Sequence, residues 1–136
     1  MTAIIFSMTN VETLKLARNI LLSLHKSLLD FERAGYEQMH GKMNASQFLS
    51  VLLENESFSW LRKFSMLIVE IDEMFDLKDG ISDEMVNSNI WKIRELISNE
   101  IPDEAFRGRY QFVLDNDKLA ATEHGRLEAL LSGQTA

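Results

Sequence analysis

Cysteine is missing from this sequence of 136 residues. Its absence excludes a disulfide framework, a thiolate metal site and a cysteine nucleophile, and it agrees with a reducing compartment. Proline occurs once, at Pro102, and glycine six times. So few chain breakers point to long helices rather than to many short strands and turns. No apolar run approaches the ~18–20 residues that cross a bilayer. Near the start, Ala3 to Phe6 is too short for a secretory h-region and no basic residue precedes it. The expectation is a cytoplasmic protein that does not engage a membrane.

A surplus of positive charge is also lacking. Net charge is −7, and the acidity belongs to one half of the chain: residues 1–68 carry +1 and residues 69–136 carry −8. Such a chain repels nucleic acid at long range, and no basic cluster makes a face for it. What is present is apolar residue, 46% of the chain, enough for one core without staples. No repeat, low-complexity stretch or linker divides residues 1–136, so a single domain is expected.

Helix signals follow in order. Thr9-Asn10-Val11-Glu12 fits a capping box, and Gly41 suits the position after a helix end, so the first helix should run from Thr9 or Asn10 to His40. Leu14, Ala17, Leu21, Leu24, Leu28 and Phe31 form its seam at alternating steps of three and four. Leu16, Ile20, Leu22, Leu29 and Tyr36 widen the apolar surface beyond one stripe. A helix this broadly apolar is central in its fold or covered by a second subunit. Asn44 or Ser46 caps a short second helix, Gln47 to Glu54. A third helix runs to Phe75 after a break around Asn55-Glu56-Ser57, unless the two form one kinked helix. Ser82 or Asp83 opens a fourth helix, with Val86, Ile90, Ile93 and Ile97 as its buried face, joined by Trp91 and Leu96, and Ile101-Pro102 stops it. Asp103-Glu104 opens a fifth. Its seam, Phe106, Tyr110, Val113, Asp117, Ala120, His124, Leu127 and Leu131, predicts one long helix to Ser132. The expected fold is all-α: a single-domain antiparallel four-helix bundle with an additional short helix, an apolar N-terminal arm over residues 1–8 and a frayed tail over 133–136.

Candidate chemistry is sparse. Glu37 and His40 are spaced to share one helix face, as in carboxylate–histidine metal bundles. The second such pair is missing, because Leu22 and Ala121 stand three residues before His25 and His124. His40 beside Gly41 is equally well explained by a helix C-terminus, where the dipole favours it. His25 and His40 lie about 22 Å apart along one helix, so the three histidines cannot share an ion within one chain. Arg18, His25 and Glu32, at steps of seven, make a polar stripe on an apolar helix, and Asp117 and His124 interrupt the fifth-helix seam. If the two stripes face each other they form a small-molecule site or a device that sets helix register. Satisfied boundary polars are the simpler reading. Glu70 to Glu84 holds seven acids and one Lys78, but Phe75, Leu77 and Val86 occupy ligand positions of a calcium loop aligned on Gly80, which excludes an EF-hand. The segment reads as a solvated hairpin that could receive a basic partner. Arg62-Lys63 and Arg107-Gly108-Arg109 read as surface charge.

These features lead to a non-enzymatic interaction or assembly module acting as a homodimer, with no cofactor. The alternative is a ligand-binding or enzymatic bundle using Arg18, His25, Glu32, Asp117 and His124. A weaker one is metal binding at Glu37 and His40.

Overall fold

The computed structural model describes residues 9–132. The expected N-terminal arm and C-terminal tail lie outside them. Among the described residues the chain is all-α, with no strand: α1 (Asn10–His40), α2 (Ala45–Glu54), a 3₁₀ segment (Glu56–Leu61), α3 (Arg62–Phe75), α4 (Asp83–Ile97), α5 (Glu104–Asn116) and α6 (Lys118–Ser132). None of these helices is long and apolar enough to cross a membrane.

Local chemistry explains most boundaries. Thr9 and Glu12 form the reciprocal cap of α1, and Gly41 ends it at φ 89°, where a side chain would be strained. Asn44 and Gln47 cap α2 in the same reciprocal way. Asn55 takes the Ser57 N–H and starts the 3₁₀ turns that lead straight into α3. Ser82 caps α4. That helix ends before Pro102 is reached, with Asn99 in the left-handed region at φ 61°, a conformation asparagine tolerates better than most residues.

The expected fifth helix is two helices. Asp117 is extended (φ −128°, ψ 113°) between α5 and α6, and its carboxylate accepts the Ala120 N–H at 3.0 Å. Left inside one helix, Asp117 would point its charge down the apolar seam; as a cap it satisfies an end donor instead. The seam survives on both sides, because Phe106, Tyr110, Val113, Ala120, Leu127 and Leu131 are all buried.

α1 is the central element, packed against α3, α4 and α6. That placement accounts for its breadth. Ile20 is buried, and Leu29 and Tyr36 pack onto the core from its margin. Of the widening residues only Leu16 and Leu22 stay exposed. Most of the breadth of α1 is therefore used within the chain. Trp91, expected on the buried face of α4, is 56% exposed. At the far end of α1, Trp60, Phe64, Phe106 and Tyr110 form an aromatic cluster with ring centroids 5.3–6.4 Å apart, which ties the 3₁₀ segment and α3 to α5.

Candidate functional site

An open cleft of about 510 Å³ lies between the C-terminal third of α1, the 3₁₀ segment and α5. Its walls are Phe31, Tyr36, Met39, Phe58 and Phe112. They come from three elements but are mutually braced. Phe31 meets Phe112 edge-on at 6.1 Å, Tyr36 meets Phe58 edge-on at 5.8 Å, and His40 stacks on Tyr36 at 4.0 Å. Met39 projects from the rim, 82% exposed. Gly35 lies on the α1 wall with open space where a Cβ would stand.

Glu32 and Arg109 supply the cleft's charge. Glu32 is 3% exposed. Its Oε2 accepts from Trp60 Nε1 at 3.0 Å and from Arg109 Nε at 3.0 Å, while Arg109 Nη2 donates to Oε1. Both carboxylate oxygens are thus occupied by fixed donors, the arrangement a buried carboxylate needs. The hydrogen bond to Glu32 raises the Arg109 guanidinium above its ordinary value, with burial acting against it. The guanidinium also lies over the Phe112 ring at 4.8 Å and near Phe31 at 5.9 Å. A shallower cleft shares the Tyr36 wall and carries Glu54 and Glu56, neither of which has an ion-pair partner among the described residues.

Of the residues singled out on the two stripes, only Glu32 lines this cleft. Arg18 reaches α3, where Nε and Nη2 donate to the two Asp72 oxygens at 2.8 Å each; this fork lowers Asp72 and raises Arg18 from their ordinary values. His25 is half-buried, and burial lowers its imidazole below the usual value. Asp117 caps α6. His124 Nδ1 lies 2.6 Å from the Tyr110 hydroxyl, and its Nε2 lies 3.4 Å from Glu128. No hydrogen bond or ion pair joins any two of these five side chains, so the two stripes do not merge into one network.

Glu37 and His40 also part company. Glu37 accepts the Met43 N–H at 2.9 Å and pairs with Arg33 at 3.3 Å, and the Met43 bond lowers its carboxyl below the usual range. His40 turns its Nδ1 to the Tyr36 carbonyl at 3.1 Å. Glu37 thereby pins the α1–α2 connection. No group of three or more histidine, aspartate or glutamate side chains among the described residues is placed to hold a metal ion.

Arg109, read from the sequence as surface charge, is the chief correction at this site. Its neighbour Arg107 is likewise engaged, donating to the Ile101 carbonyl at 2.6 Å. The signal available was position: Arg109 follows Phe106 by three and precedes Tyr110 by one, at the edge of the seam. No protein-family model, no curated protein and no solved structure matches the chain.

Proposed function

We propose that this chain is a non-enzymatic interaction module. In this reading α1, α3, α4 and α6 form an antiparallel four-helix bundle, and the cleft beside α5 receives an apolar side chain of a protein partner. The observation that carries it is the cleft: a pre-braced aromatic and methionine wall, open to one side, above a carboxylate whose two oxygens are already engaged. Three donors take up most of this carboxylate's accepting capacity and hold it in its charged form, which suits it poorly to proton transfer, whereas an aromatic cleft with a flexible methionine at its rim suits an anchor side chain. The helix arrangement is supported by cross-links. Residues 18 and 32 of α1 reach residues 72 and 60, Lys92 reaches Glu70, and Arg94 reaches the Leu131 carbonyl. The occupant is a basic segment with an aromatic or branched anchor, because the adjoining cleft offers Glu54 and Glu56 without cations of their own.

The test is selection from a displayed library of random dodecapeptides, followed by affinity measurement on Gly35→Leu. That substitution grows a side chain into open cleft and replaces a mid-helix glycine, so the fold should hold or gain stability. Expected are sequences with an apolar anchor next to lysine or arginine, which lose at least about tenfold in affinity, or ~1.4 kcal/mol, on Gly35→Leu. Selected peptides that bind Gly35→Leu equally well would remove the reading. Self-association is the second reading, carried by the apolar side chains of Leu16 and Leu22 left exposed on α1; sedimentation equilibrium showing a monomer at micromolar concentration would dispose of it.

A further inference from the structure

At the other end of the molecule, a slot of about 330 Å³ opens between the last turns of α3 and the first turns of α4. Met74, Leu77 and Met85 line it, and Asn89 also borders it. Asn89 is 6% exposed. Among the described residues its Nδ2 meets only the Met74 thioether, at 3.4 Å, and its Oδ1 has no hydrogen-bond partner. A thioether is a weak acceptor, and an amide oxygen left unpaired under cover is costly, so Asn89 is a group in want of a donor. Glu73 stands exposed on the rim with no ion-pair partner among the described residues, while Lys92 is held by Glu70 at 2.8 Å. Beyond the slot, Asp76, Asp79, Asp83 and Glu84 are also without ion pairs among the described residues, and Lys78 is the one base among them.

We infer that this slot is a second docking point, and that it takes a lysine side chain of a protein partner. Two thioether side chains and a leucine suit the four-carbon stem, which prefers apolar cover while its head stays polar. An ammonium brings three donors and no acceptor, matching the unpaired Glu73 carboxylate at the rim and, once the Asn89 side chain turns out toward the slot, its amide oxygen. Of the slot's two carboxylates Glu70 is already engaged by Lys92, and Glu73 with the Ser88 hydroxyl and the Asn89 amide among thioethers makes a poor oxygen set for a hard divalent cation. The surrounding acids speed the approach of a basic segment and hold it against the face.

The experiment is a ¹H–¹⁵N titration of the whole chain with Nα-acetyl-lysinamide, with Nα-acetyl-norleucinamide and spermidine as parallel probes. Expected are saturable shifts of the Asn89 side-chain amide and of the backbone around Glu73, Leu77 and Met85, absent with the norleucine probe. Glu73→Gln and Asn89→Leu should each weaken the lysine probe about fivefold or more. Asn89→Leu replaces an unsatisfied buried amide with an apolar group of similar size, so its fold is safe. Gly35→Leu should leave the titration unchanged, which separates this slot from the aromatic cleft. Shifts spread over all the acids and indifferent to both substitutions would overturn the inference, as would spermidine binding at the slot with no response to the lysine probe.

Discussion

The two ends of α1 are tied to the rest of the molecule by the same chemical device in opposite surroundings. Near its start, Arg18 forks onto Asp72 of α3, with 27% and 44% of the two side chains exposed. Near its end, Glu32 receives a fork from Arg109 of α5; that carboxylate is 3% exposed, although the arginine side chain is 40% exposed. Water reaches both members of the first pair but only the arginine of the second. The first therefore orients two helices at little net gain, whereas the second is a commitment: once Glu32 is placed under the aromatic cluster, its partners become indispensable. The hydrated end carries the unpaired acids and the lysine slot. The dry end carries the braced aromatic cleft.

The sharpest way to break this contrast is Arg109→Met. It keeps an apolar stem over Phe112 but leaves the Glu32 carboxylate with Trp60 alone. Urea unfolding should show a loss of about 3 kcal/mol, the lower end for a stranded buried charge, because the open cleft admits some water. Adding Glu32→Leu to Arg109→Met should restore most of it. A loss below ~1 kcal/mol for Arg109→Met would place the two forks in one class and dissolve the comparison.

Arg18→Ala should cost much less, roughly 0–1 kcal/mol, and the difference from wild type should shrink as sodium chloride is raised. A loss as large as that of Arg109→Met, insensitive to salt, would mean that the hydrated end is drier than its exposure indicates.

The smallest effect concerns His25, midway between the forks. Burial lowers its imidazole in the folded chain below the ordinary 6.5, so between the folded and unfolded values the unfolded chain binds more protons. Its contribution is complete above about pH 6.5 and is lost as pH falls through the lowered folded value. Glu12, Glu37 and Asp72 are lowered too, but from ordinary values of 4.5, 4.5 and 3.8, so their losses come at more acid pH. Stability measured between about pH 7.5 and 5.5 should fall for the wild type and fall less for His25→Gln. Equal slopes would show that His25 is as hydrated in the folded chain as in the unfolded one.

How legible this was can be judged residue by residue. The α1 cap at Thr9 and Glu12, its end at Gly41, and the α4 cap at Ser82 were readable because each depends on groups within a few residues. The apolar seams were readable because helix geometry fixes which positions share a face. Asp117 was misread for an instructive reason: the seam continues across it, so periodicity alone cannot tell a buried carboxylate from a cap. Of the cleft, Glu32 stood out as a charge beside an apolar seam. Its partners, 28 and 77 residues away, carried no local mark, and Arg109 looked like any other surface arginine.

The sequence by itself determined an all-α chain, most helix boundaries, the α1 seam and the concentration of acid in the second half. These rest on short-range rules: backbone capping, the 3.6-residue turn and the count of charges. Only the tertiary structure decided that the breadth of α1 is used within the chain, that Arg18 and Glu32 serve different helices, and that Asn89 is left without a partner beside a slot of thioethers. Those outcomes depend on which distant helix faces meet, and on how much water stays between them, and no spacing along a single chain encodes that directly.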